Sequence, residues 1–533
     1  MLLPIDSAPT MARTAEPAST PAVHGRHRAR RPVLVLVVVL LAALAINVET
    51  TIVNVALPTL NTTLGSSTRD LQWIVDAYNL AFAALVLAGG TIGDRFGRRG
   101  ILVGGLMLFA GTSVAAAVCT ATGPLVAARF AMGASAALIY PTTLAIITTT
   151  FPDTRHRAAA IGAWGAVSGL GVAIGPILGG ALLQSFWWGS LFLALAPAAL
   201  VAAIAAWRVV PATRDPDRPR LDRGGLVLSV LFLGALVYTI IEAPERGWLS
   251  VPTLGGFTLA AAALAVFVVT ERRRTDPLID VGLFANLRFT AASGAVTVAF
   301  FALFGFIFLI TQFMQELQGF DPLGTGVRIL PVALSIAAGS VIGTRVAIAR
   351  FGTKRVVTLG LLMLAAAFAW STTLVASVSY LEMAGQMVLL GGGLGLTTAP
   401  ATDAIMGVVR PEQAGAGSAV NDATRLIGGT LGVAVLGSIY STLYLRHLDA
   451  STALAQMPPP AQGLAREGLA QGLAVAAHAP TGPAAAIRAS VADGFLSGLH
   501  AGCLTAAIIC VLGAAVVAVA LPAHPSTTVK GTP

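Results

Sequence analysis

Charge is scarce in this chain. Only 11% of its 533 residues are Asp, Glu, Lys or Arg, whereas 56% are hydrophobic. A soluble surface cannot be built from that balance, so an ordinary soluble domain is excluded and lipid is the expected solvent, with about 20 apolar residues per crossing. Cysteine is scarcer still. Cys119, Cys503 and Cys510 all lie inside apolar runs, which excludes a disulfide framework and a thiolate metal cluster. No GxxxxGK[ST] loop, HExxH pair or Cys/His ligand spacing occurs. An enzyme is therefore not expected, nor a metal or cofactor, and any work must draw on an ion gradient or a partner. The net charge of +9 does not point to nucleic acid, because the arginines are scattered between apolar runs as marks of short loops.

What is present is a long series of apolar runs. Fourteen can cross a bilayer: 33–57, 72–93, 100–120, 124–148, 158–182, 188–208, 224–243, 252–270, 290–313, 327–348, 356–377, 381–405, 413–440 and 496–521. The expected fold class is all-α, a polytopic membrane protein of fourteen transmembrane helices. Residues 1–31 read as a disordered cytoplasmic tail, and the run from Pro32 as an uncleaved first span. With the N-terminus inside, the cytoplasmic segments hold Arg95, Arg98, Arg99, Arg155, Arg157, Arg208, Arg214, Arg218, Arg220, Arg223, Arg272, Arg273, Arg274, Arg288, Arg350, Lys354, Arg355 and Arg410. The outer loops hold only Arg69, Arg246, Arg446, Arg466 and Arg488. That asymmetry places both termini in the cytoplasm. The long outer loop 445–494 is rich in Ala, Pro and Gly and is expected to be poorly ordered.

GTIGDRFGRR at 90–99 is echoed by RVAIARFGTKR at 345–355, where Phe351-Gly352 repeats Phe96-Gly97. The repeat suggests a six-helix half at 32–210, two inserted helices at 211–275 and a second six-helix half at 276–521, followed by a cytoplasmic tail at 522–533. In the first copy, Gly90, Asp94, Arg95, Gly97, Arg98 and Arg99 form a candidate gating loop. Gly97 permits a sharp turn, and an aspartate among three arginines can tie helices together in one conformation and release them in another.

The fifth run carries Gly162, Gly171, Gly175, Pro176, Gly179 and Gly180. Gly171, Gly175 and Gly179 recur on one face and make a groove for a neighbouring helix, while Pro176 removes the backbone bond to Val172 and bends the helix.

Charges within apolar runs mark function, since each costs roughly 3 kcal/mol or more in hydrocarbon. Glu49 lies about 17 residues, roughly 25 Å, from the inner end of the first run. Arg129 lies about five residues into the fourth run from the outer side, so both can face one cavity at one depth, either as a proton carrier beside its cation or as a fixed ion pair that holds two spans together. Asp422 and Arg425 share a face of the thirteenth run, with Asn421 beside them, either as a local structural pair or lining a cavity. Asn54 is a further cavity candidate. Asp76 and Glu242 sit near outer ends, within reach of lipid headgroups, and Trp187 and Trp188 read as interfacial belt residues.

These residues resemble a known family. GTIGDRFGRR resembles the loop signature of the major facilitator superfamily, and the glycine–proline pattern of the fifth run resembles the antiporter motif of its drug exporters. ETTIVNVALP at 49–58 and GSAVNDATRLIGGTLGVAVLGS at 417–438 are similar to the first and thirteenth spans of its fourteen-span drug:proton antiporters. The resemblance runs from about 33 to 521. It implies proton-driven multidrug efflux from the plasma membrane, a hydrophobic or cationic small-molecule substrate and a monomer. Arg129 matches the family's span-four arginine, which implies proton coupling with Glu49. Glu49 stands where the family often has aspartate, and Met132 where glutamine is frequent. An importer of the same fold, or a transport-inactive sensor, are the alternatives. Substrate identity and proton stoichiometry have no residue-level code here.

Overall fold

The computed structural model describes residues 32–213, 222–274, 277–409 and 414–522, and every long element among them is a helix. The expected tails, with Arg214, Arg218, Arg220 and Arg410, lie outside the described residues. In chain order the elements are α1 (Pro32–Leu64), α2 (Thr68–Phe96), α3 (Arg98–Ala117), α4 (Thr122–Thr150), α5 (Thr154–Ser185), α6 (Ser190–Val209), α7 (Arg223–Arg246) and α8 (Val251–Arg273). There follow α9 (Leu287–Leu317), α10 (Pro322–Ser371), α11 (Tyr380–Met406), α12 (Ala414–Asp449), the short α13 (Thr452–Ala455), α14 (Pro459–Arg466) and α15 (Leu469–His478), and α16 (Thr481–Ala520).

Among the described residues, twelve helices are long and apolar enough to cross a membrane, rather than the fourteen expected. The difference lies in α10 and α11. The two runs expected at 327–348 and 356–377 join in the 50 residues of α10, which Gly352 interrupts at φ 77°. The run at 381–405 is the 27-residue α11, whose Gly, Thr and Gln content lowers its hydropathy. Gly97, the counterpart of Gly352 in the repeated motif, also takes a positive φ, 109°. A β-carbon disfavours that conformation, so the glycines hold the same turn in both copies.

Helix starts follow local chemistry. Ser67 accepts from the Asp70 amide while the Asp70 carboxylate accepts from the Ser67 amide, a reciprocal capping box at the head of α2. Asp222, Ser250, Asn286, Asp321 and Ser379 cap α7, α8, α9, α10 and α11 through their side chains. Lateral packing rests on small residues, as lipid requires. A β-carbon at Gly133 of α4 would lie 2.9 Å from the Tyr78 carbonyl carbon on α2, and one at Gly432 of α12 would lie 2.9 Å from the Phe301 carbonyl carbon on α9.

The loop 445–494 contradicts the expectation of disorder. It folds into α13, α14, α15 and the first turns of α16. Its alanines favour helix, and buried anchors hold it down: the Tyr444 hydroxyl lies 2.8 Å from the Ala465 and Gly468 carbonyls, and Gln471 donates to the Asn61 carbonyl at 2.9 Å. Thr68 at the head of α2 donates its amide to the Glu467 carbonyl at 2.7 Å.

Candidate functional site

The first span is not a uniform helix. It passes through a 3-10 turn at Val53–Ala56, just beyond Glu49, because Pro58 has no amide to offer the Asn54 carbonyl and Leu57 bonds there instead. Glu49, Thr50, Thr51 and Asn54 are all buried around this turn. Asn54 spends its amide on the Thr51 carbonyl at 3.2 Å, which holds the turn.

Glu49 and Arg129 meet. Arg129 Nη1 and Glu49 Oε1 form an ion pair between α1 and α4, and neither side chain is accessible to solvent. Arg129 also donates Nε to the Ile74 carbonyl of α2 at 2.8 Å, and its guanidinium lies 4.5 Å from the centre of the Tyr78 ring. The Tyr78 hydroxyl in turn donates to the Ile46 carbonyl of α1 at 3.2 Å. Two helices, α1 and α2, thus grip the cation carried by α4, which leaves it little freedom. Glu49 Oε2 and Arg129 Nη2 have no partner among the described residues, so the pair retains one free carboxylate oxygen. A buried pair of this kind is costly to break from one side, by about 3–5 kcal/mol, because the remaining charge is stranded. Sequence position gave the shared depth, but not the Ile74 carbonyl and Tyr78 ring that complete the grip. Met132 is fully buried and apolar, so no polar relay passes through it.

The glycine helix α5 lies against this turn. Built β-carbons at Gly171 and Gly179 would sit 2.7 Å from Asn47 Cβ and 2.9 Å from the Ile52 carbonyl of α1, and one at Gly175 would lie 2.9 Å from the Val48 carbonyl. The Thr51 hydroxyl donates at 3.1 Å to the Val172 carbonyl, the acceptor that Pro176 leaves without its helical donor. The other two glycines of the run lie off that stripe. Gly180 faces α10, where a β-carbon would come within 2.8 Å of the Leu323 amide, and Gly162 has nothing within 4 Å. The helix therefore serves two neighbours, α1 and α10, rather than one.

At the far end of α2, Asp94 pairs with Arg98 at 2.7 Å across the Gly97 turn, and Arg98 Nη1 reaches the Ala145 carbonyl of α4 at 3.5 Å. Arg98 also donates its amide to the Thr213 carbonyl at 2.9 Å. The other arginines do not join the pair: Arg95 lies over Phe96 at 5.6 Å, and Arg99 makes no ion pair among the described residues. Gly90 and Gly93 face α4 at Pro141 and Thr142.

In α12, Asp422 and Arg425 make no direct ion pair, although they lie within electrostatic reach of each other. Arg425 turns to the Thr402 hydroxyl at 3.3 Å and to the Phe300 ring at 5.4 Å, and Thr402 donates to Asn421 Oδ1 at 3.1 Å. Asp422 is buried beside them.

Three further expectations are corrected. Glu242 does not face headgroups; it is held by Arg69 at 2.6 Å and Arg246 at 3.0 Å, joining α7 to α2. Trp188 is buried edge-on against Phe192, although Trp187 is exposed. Asp76 is fully buried, with Gln72 and Asn79 on the same face of α2.

The architecture is that of known transporters. The Major Facilitator Superfamily model matches residues 35–433. The chain belongs to the major facilitator superfamily. Members are membrane transporters, so this is a multi-pass membrane transporter. Its sequence is 34% identical to the multidrug efflux pump LfrA of Mycolicibacterium smegmatis over 91% of this chain and 95% of that protein. It is 35% identical to the multidrug resistance protein Stp of Mycobacterium tuberculosis over 77% of this chain and 76% of that protein. The methylenomycin A resistance protein of Streptomyces coelicolor is 31% identical over 73% of this chain and 82% of that protein. Among solved structures, a bacterial homologue of the human lysosomal transporter Spinster, in its inward-facing unoccupied conformation, superposes with a TM-score of 0.65. That match has 18% identity and covers 91% of this chain and 98% of that one, a likeness of fold alone.

Proposed function

We propose that this transporter expels hydrophobic or cationic drugs and antibiotics across the plasma membrane in exchange for protons, by alternating access. The observation that carries the reading is the sealed Glu49–Arg129 pair with its one unpartnered carboxylate oxygen. Glu49 takes a proton from outside as substrate leaves and delivers it inside. Arg129 stabilises the ionised carboxylate, and its attachment to Ile74 and Tyr78 passes that change to α2. Substrate contacts the apolar walls between two six-helix halves, 32–210 and 276–521, with Glu49 or Asp422 available to a cation, and with Asn54, Asn421 and Arg425 nearby as polar lining. The Asp94–Arg98 pair stabilises the outward-open state, and α5, packed on α1 and α10, supports the rocking and limits leak.

Fourteen crossings fit this reading. At 1.5 Å per residue, the 50 residues of α10 would run about 75 Å, more than twice the hydrocarbon thickness, and Gly352 offers the turn. Counting α10 twice and adding α11 brings twelve to fourteen, an even number that keeps both termini on the cytoplasmic side. Drug export is supported by the relatives' names, in which multidrug efflux and antibiotic resistance recur. A drug-susceptibility panel in an efflux-deficient host tests the assignment. Wild type should raise tolerance to several apolar cations, and Glu49→Gln, expressed at the same level, should not. Equal tolerance in the two would remove Glu49 from the mechanism.

A further inference from the structure

The face of α2 that looks away from Arg129 carries its own polar set. Gln72, Asp76 and Asn79 recur at helical spacing, and all three are at most 1% exposed. Gln72 donates to the Val433 and Ala434 carbonyls of α12 at 3.4 and 3.1 Å, and Ser438 in turn donates to the Ile240 carbonyl of α7. This face is therefore the seam between α2, α12 and α7. One turn deeper sits Asp76, fully enclosed, with neither carboxyl oxygen bonded to any described residue; both polar atoms of the Asn79 amide are likewise unpartnered.

Charged groups on the surrounding helices are engaged elsewhere. Glu49 of α1 and Arg129 of α4 hold each other on the opposite face, and Glu242 of α7 is taken by Arg69 and Arg246. On α12, Arg425 is turned to Thr402 and Phe300, while Asp422 and Tyr440 make no bond to Asp76. Tyr238 of α7 accepts from Arg246, and Arg98 of α3 pairs with Asp94 at the other end of α2. A carboxylate with neither counter-ion nor hydrogen-bond donor does not remain ionised in such a place. The gap one turn on, lined by Leu80, Ala83, Leu233, Val237, Ile427, Thr430 and Leu431, has no room for water, so the seam is dry there.

We infer that Asp76 is a second proton-binding site, separate from Glu49, and that it must be protonated for α2 to close against α12. The carboxylate gains one proton from water when the seam is open and becomes a neutral carboxyl that the dry seam accepts; on reopening, hydrated Asp76 returns that proton to water. Gln72 then forms its bonds to α12 only when Asp76 is neutral, which makes closure at the Thr68 end of the helix pH-dependent. This inference rests on the proposed transport reading for its use in the cycle, but not for its geometry.

The test is a distance measurement on the full chain in nanodiscs, with spin labels at Thr63 and Leu464 on a cysteine-free background. As pH rises from about 5 to about 9, across the range in which a carboxyl can titrate, wild type should shift from closed to open. Asp76→Asn, neutral at every pH, should stay closed throughout, whereas Glu49→Gln should keep the Asp76-dependent shift. An Asp76→Asn variant with the wild-type pH shift would overturn the inference. Should that variant fail to fold, Asp76→Glu keeps a titrating carboxyl at the seam on a longer arm. Its shift should persist with a midpoint displaced from that of wild type. A midpoint identical to that of wild type would overturn the inference. Wild type that closes with pH but moves no drug down a pH gradient would sink the efflux reading and leave this one standing.

Discussion

The hydroxyl of Thr51 on α1 donates to the carbonyl of Val172 on α5, the very group that Pro176 leaves without a helical donor. One helix thus repairs the backbone of another, and the Pro176 step of α5 is tied to the 3-10 turn beyond Glu49. In a dry interior an orphaned carbonyl costs about 1–3 kcal/mol. Thr51→Val keeps the shape and removes the donor, so its thermal unfolding in detergent should fall by that order, while Thr51→Ser should retain most of the stability. Equal melting of all three would mean that the bond contributes nothing.

The glycines of α5 should not be equivalent. A methyl group at Gly175 would press on Thr51 and come within 2.9 Å of the Val48 carbonyl, whereas one at Gly162 would meet open space. Gly175→Ala should therefore abolish transport or lower expression. Gly162→Ala should leave both within about twofold and add a few tenths of a kcal/mol of helix propensity. Parallel uptake and melting measurements check the contrast.

Removing one partner of the sealed pair should cost more than removing both. Arg129→Leu strands Glu49 and should destabilise by about 3–5 kcal/mol, while Arg129→Leu combined with Glu49→Leu should recover much of that loss. A double-mutant cycle on thermal stability reads the coupling directly. By contrast, Arg98→Ala at the partly exposed Asp94 pair should change stability by no more than about 1 kcal/mol, and its effect should appear in the balance of conformations.

Much of this was legible in the chain. Helix positions followed from hydropathy, and the depth of Glu49 and Arg129 followed from counting residues along two spans. The missed features are those in which neighbours, not local sequence, decide. Asp76 looked like an end residue because its span seems to begin near 72; the capping box starts the helix at Thr68 and carries Asp76 well inside. Trp188 looked interfacial until Phe192, one turn away, covered it. The division of the α5 glycines between α1 and α10 depends on a contact with residues 322–326, which no periodicity within α5 contains.

The loop 445–494 misled through composition. Alanine, glycine and proline in a polar stretch suggest disorder, yet Tyr444 and Gln471 supply two long-range anchors that order it. Tyr444→Phe should speed amide exchange across 452–478 without moving exchange in α2. Burial, and then the nearby Asp70, holds the Glu467 carboxyl in this loop above its ordinary range. A carboxyl raised in the folded state binds its proton more tightly folded than unfolded. Its contribution is therefore fully present below the ordinary carboxylate value and is lost as pH rises through the raised one. Exchange around Glu467, corrected for intrinsic rates, should be slower in mild acid than at neutral pH, and Glu467→Gln should remove the difference.

The central claim is that Glu49 carries the proton. Purified protein in vesicles, given a drug-like cation and an imposed pH gradient, tests it directly. Wild type should acidify or alkalinise the lumen as substrate moves, with proton flux opposite to substrate flux, and Glu49→Gln should show substrate binding but no coupled proton movement. Substrate-driven proton flux of wild-type size through Glu49→Gln would contradict the account.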